Sequence, residues 1–266
     1  MNASPAALRV WRSLVTGLTL VTLTGAGMAQ PGATTQRSGF TLLGPQTQAM
    51  QRDDSLNPGL LWVKDGEALW RLAQGKAQRS CESCHGQAES GMRGVATRYP
   101  ALESAQQQLV DLPGRINLCR LRHQQALPWA REGVELLSME AFVALQSRGM
   151  ALNPSNEPAL APFRERGAAL FRQRLGQLDL SCSNCHDAHV GRHLGGSVIL
   201  PADPLPYPAY RLQWQGLGSL QRRIRNCMAG IRAEPFADGD QEMLELGLYL
   251  ATRAAGLALE APGVRP

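Results

Sequence analysis

The chain has 266 residues, 44% of them hydrophobic and 18% charged, with a formal net charge of +5. That length allows one or two domains, and the composition excludes a disordered chain. The positive charge is small, dispersed and carried almost wholly by arginine without a Lys/Arg block, so no nucleic-acid partner is expected.

At the N-terminus, Arg9 and Arg12 form a basic start, residues 14–24 an apolar run, and Gly27-Met28-Ala29 a small-residue cleavage site. Residues 1–29 therefore read as a secretory signal peptide. The apolar run is about half the roughly 20 residues a bilayer-spanning helix needs, so no stable membrane insertion is expected after cleavage. The mature chain is expected in the periplasm with a net charge of +3.

Residues 30–58, rich in Gln, Thr, Gly and Pro and without sustained periodicity, are predicted to form an extended N-terminal arm. From Pro58 the pattern turns helical, with Leu61, Ala68, Leu69 and Leu72 at three- and four-residue intervals. Then comes Cys81-Glu82-Ser83-Cys84-His85. A further helix is predicted over 102–109, followed by Leu112-Pro113-Gly114-Arg115-Ile116-Asn117-Leu118-Cys119 and an amphipathic helix over 134–147 that stops at Gly149. Residues 153–158, dense in turn formers and without apolar side chains, read as a linker.

The second half repeats the first. Gly66 to Trp70 recurs as Gly167 to Phe171, and Cys81-x-x-Cys84-His85 as Cys182-x-x-Cys185-His186, both shifted by 101. Leu112, Arg115, Ile116 and Cys119 recur as Leu220, Arg223, Ile224 and Cys227, shifted by 108; residues 135–149 recur as 242–256, shifted by 107. The expected fold is all-α: two tandem cytochrome c-like domains, 59–152 and 159–266, each a helix, a haem motif, a cysteine segment and a closing helix.

In a CxxCH sequence two thiols can bond to the vinyl groups of a haem while the adjacent imidazole ligates its iron. A thioredoxin-like pair wants a βαβ setting, and a zinc site wants its second pair much closer. Both motifs carry His in a chain with only five, so Cys81, Cys84, His85 and Cys182, Cys185, His186 are expected to hold two covalent c-type haems.

For the sixth ligand of each iron, Met139, Met150, Met228, Met243 and His123 are available, but none recurs at matching positions in both copies. Cys119 and Cys227 do. They could form a disulfide, as leftover cysteines of exported chains often do. Equivalent places in two domain copies instead favour each facing its own haem. A thiolate ligand is strongly electron-donating, lowers the iron's potential and tethers a reactive sulfur there. Arg223 lies one helical turn before Cys227, where its guanidinium would favour the thiolate and could bind an anion. Arg222 and Arg225 flank it and read as a solvated face. The second segment is the richer in arginine, so the second site is expected to be the reaction centre.

Residues 210–214, the run 218–227 and Arg232-Ala233-Glu234-Pro235-Phe236 resemble the SoxA family, the dihaem subunit of the SoxAX cytochromes of bacterial thiosulfate oxidation. The resemblance implies that Cys227 ligates the second haem and is the catalytic sulfur, often a persulfide, with Arg223 in the active site and Cys119 on the first haem. It implies oxidative conjugation of thiosulfate to a cysteine of the SoxYZ carrier protein, with electrons passed to the monohaem cytochrome SoxX. A tetrathionate-forming dihaem thiosulfate dehydrogenase and a non-catalytic dihaem electron carrier are the alternatives.

Overall fold

A computed structural model describes residues 1, 37–103, 105 and 107–266; beyond Met1, the predicted signal peptide and residues 30–36 lie outside the described residues. In chain order the helices are α1 (Pro45–Arg52), α2 (Gly59–Arg71), α3 (Glu82–His85), α4 (Ala88–Gly91), α5 (Leu112–Cys119), α6 (Val134–Leu145), α7 (Ala161–Arg172), α8 (Cys182–His186), α9 (Leu220–Gly230) and α10 (Gln241–Arg253). The strands are β1 (Ala101–Glu103), β2 (Gln108–Val110), β3 (His193–Leu194), β4 (Ser197–Val198), β5 (Ala209–Arg211), β6 (Gly216–Gly218) and β7 (Gly263–Arg265).

Two helix pairs carry the fold, α2 on α6 and α7 on α10. Each pair closes on a glycine. A Cβ on Gly66 would sit 2.1 Å from the Ser138 carbonyl oxygen, and one on Gly167 2.1 Å from that of Glu245, so only glycine lets the two backbones meet. Around these crossings the apolar side chains gather: Val63, Trp70, Leu137, Met139 and Phe142 in the first copy, Phe171, Ile224, Met228, Met243 and Leu250 in the second. Full burial of such side chains stabilises by about 1.5–3 kcal/mol each. Met139, Met228 and Met243 are thus core residues.

Between the copies, Leu109 meets Leu160, Leu244 and Leu248, and Ala144 and Leu152 meet Leu205, Ala251 and Leu259. Residues from 37 onward belong to one compact unit.

The fold is not all-α, because three small sheets accompany the helices among the described residues, and three further expectations change. Residues 102–109 are a β-hairpin, with Ala101 opposite Val110 and Glu103 opposite Gln108, instead of a helix. Its repeat is the hairpin of β5 and β6, which β7 joins by pairing parallel to β5. The described part of the N-terminal arm is not extended: it holds a helical turn at Gly39–Leu42 and α1, and it straps the C-terminal segment. Asn57 Nδ2 donates to the Pro262 carbonyl at 2.9 Å, and Gln51 Oε1 accepts from Val264 N at 3.0 Å. In α2 the helix stands, but Leu61 and Leu72 are exposed; the buried stripe is Val63, Gly66 and Trp70. Among the described residues no helix is long and apolar enough to cross a membrane.

Candidate haem sites

In the second copy, α8 begins with a capping box. Ser181 Oγ accepts from Asn184 N at 3.2 Å while Asn184 Oδ1 accepts from Ser181 N at 2.9 Å. This fixes one helical turn that carries Cys182, Cys185 and His186. The Leu200 carbonyl accepts a 2.6 Å hydrogen bond from His186 Nδ1. A carbonyl can only accept, so the proton sits on Nδ1 and Nε2 is left bare, the tautomer a metal-ligating imidazole needs.

Helix α9 brings the fourth group. Ser219 caps it by accepting from Arg222 N at 3.0 Å, and two turns later Cys227 lies beside His186 and Cys182. Burial works to raise the Cys227 pKa, but contact with the His186 imidazole and the positive fields of Arg223 and Arg211 outweigh it and hold the thiol below its ordinary value. Cys182, by contrast, is pushed up to about 11, chiefly by burial and also by Cys227.

The first copy repeats the set with a different balance. Cys81 and Cys84 both lie near Cys119 at the end of α5, which Asp111 caps by accepting from Gly114 N at 2.9 Å. Burial raises Cys119, and the fields of Arg115 and Arg122 do not reverse that. Burial likewise raises Cys81, to about 11. His85 packs against the Trp70 ring at 5.8 Å, and its pKa is lowered by burial and by the nearby His123 and Arg115.

All six cysteines are free, and each distal cysteine lies with its own CxxC pair. The disulfide alternative for Cys119 and Cys227 is not what the chain adopts. Two thiols for the vinyl groups, an imidazole tied at Nδ1 and a facing sulfur form a donor set that fits a covalent haem.

Of the flanking arginines, Arg225 pairs with Asp238 at 2.6 Å and Arg222 stacks over Trp214 at 4.3 Å. His189 and His193 are exposed. Sequence reading missed Arg211, on β5. It is buried, hydrogen-bonds Tyr207 and contributes to the field at Cys227. Extending the 108-residue shift upstream from Leu112 would have found it, because Tyr99-Pro100-Ala101-Leu102-Glu103 then aligns with Tyr207-Pro208-Ala209-Tyr210-Arg211.

Residues 65–152 match the family model described as SoxA/TsdA, cytochrome c domain. The chain is 33% identical over 229 residues to the L-cysteine S-thiosulfotransferase subunit SoxA of Rhodovulum sulfidophilum, covering 86% of this chain and 80% of the relative. The subunit of the same name from Paracoccus pantotrophus is 32% identical over 228 residues, with 86% and 78% covered. Among solved structures, a chain of the SoxXA crystal structure from P. pantotrophus superposes with a TM-score of 0.84 at 31% identity, with 87% of each chain covered.

Proposed function

The chain belongs to the SoxA family, and from that premise we propose how its residues carry out the reaction of an L-cysteine S-thiosulfotransferase. Thiosulfate is joined through its outer sulfur to a cysteine of the SoxYZ carrier, making one S–S bond and releasing two electrons. Haem iron, covalently bound through a CxxCH motif, supplies an acceptor that takes electrons one at a time.

In this reading there are two haems. Cys81, Cys84 and His85 with Cys119 hold the first; Cys182, Cys185 and His186 with Cys227 hold the second. The domains run 59–152 and 159–266 about a linker at 153–158, and the exported chain works in the periplasm as a heterodimer with the monohaem cytochrome SoxX.

At the second site the sulfonate of thiosulfate is held by Arg223, and the Cys227 sulfur bonds to the outer sulfur as two electrons leave toward SoxX. The carrier thiolate then attacks that sulfur and expels the Cys227 thiolate. The carrier keeps the S–S–SO3 group, Cys227 returns to its starting state, and charge and electrons balance.

One observation carries the choice of site. Arg115, one turn before Cys119, lies 3.8 Å from the Glu103 carboxylate, whereas among the described residues its repeat equivalent Arg223, one turn before Cys227, has no carboxylate within ion-pair distance. A guanidinium with its donors open one turn before the sulfur can hold an anionic substrate there and favours the thiolate.

The test is whether turnover requires the carrier. The holoprotein with SoxX is expected to oxidise thiosulfate only when SoxYZ is present, with the product found on the carrier cysteine. Rapid formation of tetrathionate from thiosulfate alone would favour the thiosulfate dehydrogenase reading instead.

A further inference from the structure

The two copies differ in sign at one structurally equivalent position beside the distal cysteine. Strand β1 ends in Glu103 and strand β5 ends in Arg211; they stand in the same register of equivalent hairpins, opposite Gln108 and Gly216. In the first copy the buried Glu103 carboxylate takes Arg122 at 2.8 Å and Arg115 at 3.8 Å. Arg115 is the repeat partner of Arg223. The arginine one turn before the first distal cysteine is therefore already engaged by a fixed anion.

In the second copy that anion is replaced by a second cation. Arg211 and Arg223 lie close enough for each to be felt at Tyr207 and at Cys227. Among the described residues neither has a carboxylate within ion-pair distance. Arg211 is only 9% exposed, its Nε has no hydrogen-bond partner, and its neighbours are the Tyr207 hydroxyl and the Trp214 ring, 5.0 Å from Cζ. By contrast, the likewise buried Arg265 pairs with Glu260 at 2.6 Å. A buried guanidinium with an open donor beside a second unpaired guanidinium is a site waiting for an anion.

We propose that Arg211 is a second substrate-binding residue of the Cys227 site, clamping the sulfonate of thiosulfate together with Arg223, and that the Glu103/Arg211 exchange confines anion binding to the second copy. The inference rests on Cys227 being the reacting sulfur. A sulfonate offers three acceptor oxygens, enough to engage two guanidinium groups at once. Arg211 is fixed by a strand whose both neighbours are paired, so its donors are positioned before the anion arrives.

The experiment uses the holoprotein with its SoxX partner and three variants, Arg211→Gln, Arg211→Lys and Arg211→Glu, each checked for haem content and melting temperature. Sulfate, a non-reacting mimic of the sulfonate, is titrated calorimetrically, and KM for thiosulfate and kcat are measured at fixed carrier. Arg211→Gln is expected to weaken sulfate binding and to raise KM about 10-fold in parallel, with kcat at saturation much less affected. Arg211→Lys is expected to recover part of the affinity and Arg211→Glu to abolish it. Unchanged sulfate affinity and KM in folded, haem-loaded Arg211→Gln would overturn the proposal, as would a fall in kcat alone. Cys227→Ala separates the two levels. If it turns over normally, the choice of reaction centre fails; if it is inactive while Arg211→Gln behaves as the native protein, only the Arg211 assignment fails.

Discussion

Arg223 and Arg115 occupy the same turn of equivalent helices, yet the first has no carboxylate partner among the described residues and the second leans on Glu103. A hydrogen bond to a charged group contributes about 1.5–3 kcal/mol, so Arg223→Gln is expected to lower kcat/KM for thiosulfate roughly 10- to 100-fold. Arg115→Gln is expected to leave it within about twofold; steady-state kinetics on the two variants decides. The eight residues expected to hold haem, and Arg223, stand out in the sequence because motif spacing and an internal repeat both mark them. Arg211 was not, for a local reason. The turn it depends on contains no Gly, Pro or Asn, and in the first hairpin the left-handed position is filled by Gln107, at φ +52°. Without a turn signal, residues 102–109 read as a helix, and the equivalence of Glu103 and Arg211 stayed hidden.

At the scale of elements, the helices that could be read from sequence are those with an apolar stripe and a counterpart in the other copy. Helix α1 lacked both: of its eight residues only Thr47 is buried, so its polar run carries no helical period. The pairs α2/α6 and α7/α10 rest on glycine contacts that periodicity does not reveal. Gly167→Ala forces a methyl group to 2.1 Å from the Glu245 carbonyl oxygen and must part the helices that frame the second site. Overpacking of this kind costs about 1–3 kcal/mol. A lower melting temperature is expected, by roughly 2–4 °C per kcal/mol for a chain of this size. An unchanged melting curve for Gly167→Ala would mean the pair is not packed as described.

Across the whole molecule the copies meet over a polar seam as well as an apolar one. Asp111 takes Arg131 at 2.6 Å from its own copy and Gln221 at 2.9 Å from the other, beside a cavity of about 100 Å³ that Glu140 also lines. Glu140 Oε2 is buried without a hydrogen-bond partner. Burial, with Asp111 and Glu132 nearby, raises its pKa well above the ordinary carboxylate value despite Arg131. The folded state therefore prefers the protonated acid. Its contribution to stability is fully present below the unfolded carboxylate pKa and is lost as pH rises through the folded one. Glu140→Gln is expected to raise stability at neutral pH by about 1–3 kcal/mol, the usual cost of an unsatisfied buried polar group, and to flatten the pH dependence of the melting temperature above the acid range. A melting profile with the native pH dependence would contradict this. None of the seam could be read from the sequence, because the two copies meet through residues without repeat partners of like kind: Glu140 aligns with Gly247 and Gln221 with Pro113.

The central claim is that chemistry takes place at Cys227, so the most direct measurement is the mass of the SoxYZ carrier after incubation with thiosulfate and either the native holoprotein or Cys227→Ala, both loaded with haem and paired with SoxX. The native protein is expected to leave the carrier cysteine bearing S–S–SO3, and Cys227→Ala to leave it unmodified. Conjugation by Cys227→Ala at the native rate would contradict the account.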